Sequence, residues 1–332
     1  MTGTGGRASA LNDGLGMPPY TGSGPYCYTH SLAMVLGPAA PAPAVIETLT
    51  GAPFGVQSIG GTLPLFDPYG WNPEVGLDAA IGLLGWRCER SAGGTAEEAP
   101  ARLRAACVRG PALVGPVDMG LLAYQTGLPD DDPSGGDHYV VVLGVEDGTV
   151  LLHDPHGHPY ATLPAAAFTA SWRAAGVPYV EAGFVLRTGF VRERAVADAE
   201  ALRRSLPNAL DWLGGRTDRP MPPGSLGGAA AVEALASQVD AGLDPGVRAL
   251  LAEFGVRVGA RRLADAATCL GILGLAGPAA VATGQARILG GLQHPLVTGD
   301  DAALAAGLRR LAPTYERLRG ALAAEVAERT GA

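Results

Sequence analysis

Three side chains, far apart in the chain, have the types that a cysteine nucleophile site requires. Cys27 lies in the stretch GPYCYTHSLAMVLG, His138 begins the apolar run HYVVVLG, and Asp154 ends the next apolar run in TVLLHDP. The attacking form of cysteine is the thiolate, which an imidazole generates by taking the thiol proton. A carboxylate behind the imidazole fixes its tautomer and stabilises its charge. We therefore interpret Cys27, His138 and Asp154 as a candidate nucleophile, base and orienting residue.

A helix start would help the candidate nucleophile. The helical spacing of the apolar residues that follow Cys27 predicts a helix that begins there. The first turn of a helix stabilises a thiolate through its free N–H groups and its dipole. A single cysteine at such a position is nevertheless more typical of packing, so the hypothesis depends on the conjunction of all three residues.

A hairpin must bring the other two residues together. Two β-branched runs on either side of residues 144–148 predict two antiparallel strands. A tight two-residue turn would set Asp154 opposite Val141. A five-residue loop would set Asp154 opposite His138, with about 5 Å between their Cβ atoms. The sequence alone leaves both registers open.

Secondary-structure patterns change near residue 195. Before it, helical spacing in 28–36, 77–84 and 101–108 accompanies strand-like runs at 112–114, 139–143, 150–153 and 184–186. After it, the patterns are helical, at 197–213, 228–239, 245–254, 261–275, 278–292 and 300–327. We predict an α+β protein with a flexible arm (1–18), a mixed catalytic domain (19–195) and an all-α domain (196–332).

Composition excludes several classes of partner. The 32 acidic and 24 basic residues, the latter all arginine, give a net charge of −8 without a basic stripe, so we expect no nucleic-acid partner. No apolar run suits a membrane span or a signal peptide, so we expect no membrane association. The 4 cysteines contain no CxxC pair and are too few for a disulfide scaffold, which indicates a reduced, cytoplasmic protein.

The order of these features resembles papain-like cysteine enzymes of the bacteriocin-processing double-glycine peptidase type. Cys27 with SLAMVL, His138 with YVVVLG, and Asp154 with Pro155 match the elements of that family over roughly residues 18–190. Two features depart from it. The chain has Tyr28 where the peptidases have glycine, and the upstream segment YTGSGPY lacks their oxyanion-binding glutamine.

The departures leave the oxyanion site incompletely assigned. One donor can be the backbone N–H of Cys27. For the second donor the sequence offers Tyr20, Thr21, Ser23 or another backbone N–H.

A closer resemblance is to the butirosin-biosynthesis acyltransferase family, which joins a papain-like N-terminal domain to a helical C-terminal domain. The segment GPALVGPVDMGLLAYQ (110–125) is similar to that family's segment before the histidine hairpin. The resemblance implies transfer of an aminoacyl group from an acyl carrier protein or another thioester donor to a small-molecule amine, through an acyl-cysteine intermediate. It implies no cofactor, and the sequence leaves open a homo-oligomer.

Four further residues are candidates for substrate or oxyanion contacts, and each also has a structural interpretation. Tyr28 follows the cysteine, and Gln57 lies in the Gly-rich segment LTGAPFGVQSIGG. Asp118 and Tyr124 precede the histidine strand, where they could line the cleft.

Other polar residues are interpreted as structural. The histidines of HDPHGH (153–158) are a weak metal candidate, because zinc needs about three converging ligands and strand alternation separates His153 from Asp154. We predict no metal site. The acidic run 130–132 is interpreted as a solvated loop that could also receive a cationic amine, and Cys88, Cys107 and Cys269 as packing residues.

Two other functions use the same features. A cysteine peptidase or amidase would use the same three residues with water as the acceptor. A non-catalytic binding module would keep the fold without the chemistry. Formation and fate of an acyl-cysteine adduct separate the three hypotheses.

Overall fold

The computed structural model describes residues 25–125, 136–216 and 218–330. In the N-terminal half the helices are α1 (Cys27–Leu36), α2 (Pro43–Leu49), α3 (Pro73–Leu83), α4 (Ala99–Cys107) and α5 (Ala165–Trp172). The strands are β1 (Gln57–Ile59), β2 (Leu63–Leu65), β3 (Trp86–Ser91), β4 (Ala112–Asp118), β5 (Asp137–Glu146), β6 (Thr149–Asp154), β7 (His158–Pro164) and β8 (Leu186–Arg192).

A six-stranded antiparallel sheet forms the centre of this half. Its strand order is β3-β8-β4-β5-β6-β7. Every residue of β4 is buried, as the apolar run in its sequence requires of a central strand. Helix α1 lies against β5, where the Ser31 hydroxyl donates to the carbonyl oxygen of Tyr139 (3.1 Å). The helix that begins at Cys27 is thereby held across the strand that carries His138.

The β5–β6 hairpin corrects both predicted registers. Its turn is the tight one, with Glu146 paired to Thr149 and Gly144 to Leu151. The register then shifts between Val142 and Gly144, so that Val141 pairs with His153. Because of this bulge, the register places Asp154 opposite Val140 instead of Val141. Asp154 therefore lies on the same face of the sheet as His138. A single unpaired residue leaves no distinct signal in two apolar runs, which is why the sequence did not reveal it.

The C-terminal half is helical. Its helices are α6 (Asp198–Gly214), α7 (Gly228–Gly242), α8 (Pro245–Leu250), α9 (Val256–Ile272), α10 (Ala276–Gly290), α11 (Gln293–Thr298) and α12 (Asp301–Thr330), with a π-helical segment at Leu251–Gly255. The protein is thus of the α+β class, with a helical region that follows the sheet. A short strand, β9 (Leu226–Gly227), also adds to β1, and two residues are too few to produce a strand pattern.

Two predicted segments differ slightly from the structure. The strand expected at 184–186 begins only at Leu186, because Phe184 has a positive φ of 58° and packs against Trp172 with ring centroids 5.5 Å apart. The helix expected at 245–254 is α8 followed by the π-helical turn.

The hydrophobic core is continuous across residue 195. One cluster of buried side chains contains Leu32 and Leu77 from the first half together with Leu202, Leu270 and Leu322 from the second. The change in secondary structure therefore falls where the sequence places it, between β8 and α6, but the two halves share apolar packing. The division into separate domains stays a prediction.

Within the described ranges, no single helix is both long and apolar enough to cross a bilayer. Residues Cys27–Ala39 and Pro43–Leu49 meet the length and composition only as a pair, which is bent by 119°.

Candidate active site

Cys27 is the first residue of α1 and is half-buried. Tyr26, just before it, has a left-handed backbone (φ 84°, ψ 48°), which is uncommon for a residue with a Cβ atom. The Tyr26 hydroxyl donates to Oδ2 of Asp265 (3.1 Å), and the guanidinium of Arg261 lies 5.4 Å from its ring centroid. Two α9 residues thus hold the turn that presents the Cys27 thiol.

His138 lies at the start of β5 and is buried, with 4% of its surface exposed. Its Nε2 is 2.7 Å from Oδ1 of Asp154. The Cys27 side chain lies close enough to this imidazole to raise its pKa. Because Nε2 faces Asp154, Nδ1 is the ring nitrogen that remains for the thiol. The imidazole therefore connects the sulfur atom to the carboxylate.

Asp154, at the end of β6, is fully buried and accepts hydrogen bonds from several donors. Besides the His138 contact, Oδ1 accepts from the backbone N–H of His156 (2.7 Å). Oδ2 accepts from the Tyr124 hydroxyl (2.9 Å) and from Nε2 of Gln125 (2.8 Å). These bonds fix the carboxylate plane and favour its ionised form.

Burial and charge act in opposite directions on this pair. Burial, the largest effect, disfavours the imidazolium, but the Asp154 carboxylate and the Cys27 side chain outweigh it and raise the pKa of His138 above its ordinary value. Burial likewise disfavours the Asp154 carboxylate, and the positive charge and hydrogen bonds around it hold its pKa well below the usual range. A charged pair is therefore the favoured state at neutral pH.

Tyr124 therefore lies at the Asp154 carboxylate. From the sequence it was predicted only to line the cleft. Gln125 was missed by the sequence analysis. Its only signal was its place beside Tyr124, in the segment that follows the buried strand β4.

Tyr28 points away from this pair into a buried polar cluster. Its hydroxyl donates to Oε1 of Glu47 (2.6 Å) and accepts from Nη2 of Arg262 (2.9 Å), and Arg262 Nε also donates to the same Glu47 oxygen (2.8 Å). Arg262 belongs to α9 and is 4% exposed. We call Tyr28, Glu47, Asp67, Gln57 and Arg262 the Arg262 network.

Gln57 is the other candidate that joins this network. Its Nε2 donates to Oδ1 of Asp67 (2.6 Å), and its Oε1 accepts from the Gly70 N–H (3.0 Å). Oδ2 of Asp67 accepts from Nη1 of Arg262 (3.1 Å). The side chains of Tyr28 and Gln57 are thus engaged by protein partners. No local sequence pattern indicates that Arg262 and Glu47, which are 215 residues apart, would meet.

The remaining predicted site residues either have a structural role or lie outside the described residues. The Asp118 carboxylate accepts from the Gly120 N–H (3.0 Å), which caps the 3-10 turn that follows β4, so it has a structural role there. The oxyanion candidates Tyr20, Thr21 and Ser23 lie outside the described residues, as does the acidic run 130–132.

The histidines at the end of β6 and just after it separate as strand alternation predicts. His153 is buried, and its Nδ1 accepts from the Tyr160 N–H (3.1 Å). His156 lies near His138, with ring centroids 6.1 Å apart, and His158 lies beside Tyr124. In the part of the chain that the structure describes, no three His, Cys, Asp or Glu side chains form a group that could hold a metal ion.

Comparison with known proteins identifies related sequences. A family model described as the YobF C-terminal domain matches residues 222–323. The chain is also similar to a Bacillus subtilis (strain 168) protein described as uncharacterized protein YobF, with 29% identity over 163 residues, which are 48% of this chain and 52% of the relative. The match thus spans about half of that relative. Neither description names an activity, so function must be argued from the site.

Proposed function

We propose that this protein is a cysteine-dependent acyltransferase that moves an aminoacyl group from a thioester to an amine. The observation that carries the proposal is the position of His138, which is almost fully buried, contacts Asp154 through Nε2 (2.7 Å) and lies close enough to Cys27 for that side chain to raise its pKa. A buried imidazole in this position can exchange a proton with the thiol, and the ionised carboxylate stabilises the imidazolium that forms.

The arrangement of elements supports a papain-like fold for the first half as part of the same proposal. The candidate nucleophile begins a helix, and the candidate base and orienting residue lie on neighbouring strands of an antiparallel sheet. The helix lies across the strand that carries the base, through the Ser31–Tyr139 bond. This combination resembles papain-like enzymes and is the geometry that their chemistry needs.

The first half-reaction would exchange one thioester for another. His138, in its charged state, holds the proton that Cys27 has released, and the thiolate sulfur bonds to the carbonyl carbon of the donor. The carbon–sulfur bond of the donor breaks, and the departing thiolate receives the proton from His138. The N–H groups in the first turn of α1, which the Tyr26 side chain does not cap, are suited to the developing oxyanion.

The second half-reaction would form an amide. The nitrogen of a small-molecule amine bonds to the acyl carbon while His138 takes its proton. The bond between the acyl carbon and Cys27 breaks, and the proton returns to the sulfur. No cofactor takes part in either step. A carrier-protein thioester is the donor that we propose, and the cytoplasm is the compartment, because there the thiol stays reduced.

Transfer requires that water be kept from the acyl-cysteine. Helix α9 of the C-terminal half covers the turn before Cys27, through Arg261 on the Tyr26 ring and Asp265 on its hydroxyl. We propose that this cover limits the access of water to Cys27 and gives the helical region a part in the reaction.

The test is the intact mass of the full chain after incubation with aminoacyl thioesters of N-acetylcysteamine. We expect a single acyl adduct on the wild-type protein. Cys27→Ser should lose this thioester adduct. Cys88→Ala, a control at another half-buried cysteine, should keep it. Added amine should discharge the adduct as an amide. Rapid decay at a rate that no amine changes would identify a hydrolase. Absence of any adduct, with thioester or peptide, would reject both reactions and favour a binding module.

A further inference from the structure

A cavity lies between the two halves of the protein, and none of the residues around Cys27 lines it. Its volume is about 440 Å³, in the range of small-molecule sites. One wall comes from the segments around Val56 and Tyr69. The other comes from the end of α6, the segment before β9, the start of α7 and one face of α12. The site would therefore require both halves of the chain.

Three hydrogen-bond donors of residues that line the cavity lack partners. Nε of Arg219, the hydroxyl of Tyr315 and Nε1 of Trp212 are buried and form no hydrogen bond within the described ranges. A buried polar group without a partner is costly, so each such group in a folded protein requires an explanation. These three atoms have almost no accessible surface, so an occupant of the cavity would bind the outer guanidinium nitrogens of Arg219.

The charges of the wall leave a positive surplus. Three arginines line the cavity, namely Arg216, Arg219 and Arg319. Arg216 is paired with Asp218 (2.6 Å) and Arg319 with Glu316 (2.9 Å). The three positive and two negative charges leave one positive charge, and the structure shows no carboxylate paired with Arg219 among the described residues. An occupant with one negative charge would balance the wall.

The shape of the wall indicates a flat occupant. The rings of Tyr69, Trp212 and Tyr315 line the cavity, and the Arg216 guanidinium lies 4.7 Å from the centroid of the Trp212 ring. Gly214, at the end of α6, also lines it, and a Cβ atom there would meet no atom within 4 Å. Aromatic rings and arginine planes favour stacking against a planar group.

We propose that this cavity is a binding site for a small organic anion that combines a planar ring with a carboxylate or a phosphate ester, held by the guanidinium of Arg219 and the aromatic rings of the wall. The site goes beyond the proposed acyl transfer and does not depend on it. It adjoins the far side of the Arg262 network, since Val56 lines the cavity and the next residue, Gln57, bonds to Asp67.

Calorimetric titration of full-length Cys27→Ala with phenyl phosphate, benzoate and phenol tests the site without any acyl chemistry. We expect saturable binding of at least one anion at one site per chain, and no such binding of neutral phenol. The anion that binds more tightly distinguishes a phosphate ester from a carboxylate.

Substitutions in the cavity wall test whether the anion binds there. In the same background, Arg219→Gln should weaken binding of the anion about tenfold or more, because it removes the positive charge that has no carboxylate partner. Gly214→Leu should abolish it by filling open space. Arg203→Gln, an exposed arginine on α6 outside the cavity, should bind as the parent does. Absence of saturable binding by both anions, equal binding of phenol, or unchanged affinity in both Arg219→Gln and Gly214→Leu would overturn the proposal.

Discussion

Nη2 of Arg262, on helix α9, donates to the hydroxyl of Tyr28 (2.9 Å), the residue next to Cys27. The two residues are 234 positions apart and both are buried. A side chain of the helical region therefore helps to hold the first turn of the helix that carries the candidate nucleophile. The same arginine also binds Glu47 and Asp67, so its charge is balanced inside the protein.

Loss of Arg262 should be strongly destabilising. Arg262→Met would leave Glu47 and Asp67 buried without their cation, and we expect the free energy of unfolding to fall by about 3–5 kcal/mol. Chemical denaturation measures this change. Arg309→Met, which removes a solvent-exposed pair with Asp240, is the matched control and should change little.

A double variant tests the origin of that cost. If unpaired charge is responsible, Arg262→Met combined with Glu47→Gln should lose less stability than the two single changes together. Additive losses would contradict an interaction between the two side chains.

Cys27 should be the most reactive of the four cysteines toward iodoacetamide. Burial raises the pKa of the Cys88 and Cys269 thiols, and it raises that of Cys107 to about 12. The Cys27 thiol, in contrast, lies beside the imidazole of His138. Peptide mass mapping over time should show alkylation at Cys27 first, and His138→Ala should slow that reaction alone. Equal rates at Cys27 and Cys88 would argue against a nucleophilic Cys27.

The partners of Asp154 should contribute unequally to the reaction. Asp154→Asn can no longer stabilise the imidazolium, and we expect acyl-enzyme formation to slow by about 10²- to 10⁴-fold. Tyr124→Phe removes only one of the donors to this carboxylate, so its effect should be about tenfold or less. Single-turnover mass spectrometry gives both rates. Equal losses in the two variants would contradict a special role for the His138–Asp154 contact.

His30 should make stability depend on pH. Burial, and then the charge of Arg261, lower the pKa of His30 from its ordinary value of 6.5 to about 4. Between these values the unfolded chain takes up a proton that the folded protein refuses, so the free energy of unfolding falls as the pH falls. Relative to the wild type, His30→Phe should therefore gain about 2 kcal/mol between pH 7 and pH 5.

Urea titrations of both proteins at the two pH values measure this gain. His294→Phe, at an exposed position on α11, is the matched control for the loss of a histidine. A constant offset for His30→Phe at both pH values would mean that His30 titrates normally.

Gln285 should be replaceable by an apolar residue with a gain in stability. Both polar atoms of its amide are buried and have no hydrogen-bond partner within the described residues, and its neighbours on that face of α10 are the buried Ala282 and Leu289. Gln285→Leu should raise the free energy of unfolding by about 1–2 kcal/mol, because it removes two unpaired groups.

Thermal and urea unfolding measure this change. Gln293→Leu is the control, since its amide donates to the Ala252 carbonyl (2.9 Å) and its loss should be destabilising. A loss of stability in Gln285→Leu would show that its amide is satisfied in solution.

Local sequence patterns were sufficient to predict most helices and strands and to select the candidate site residues. The helix at Cys27, the strands that carry His138 and Asp154, and the long helices after residue 195 follow from periodicity within short windows. The choice of Cys27, His138 and Asp154 rested on residue type and chain order. The structure brings these three side chains together, and their catalytic role is still a proposal.

Contacts between distant segments could not be predicted in this way. A bulge near Leu143, rather than turn length alone, sets Asp154 beside Val140 and within reach of His138. Likewise, Tyr28 and Gln57 were candidates for the cleft because of their place in the chain, but their side chains lie in the Arg262 network.

The sequence by itself therefore determined the local elements of this protein and the chemical types of its candidate site, because both depend on neighbouring residues. Only the tertiary structure decided which face each side chain takes, that α9 holds the turn before Cys27, and that the two halves share a hydrophobic cluster. These features arise from burial and from pairing of charges between segments as far apart as Tyr28 and Arg262, and no short stretch of sequence contains that information.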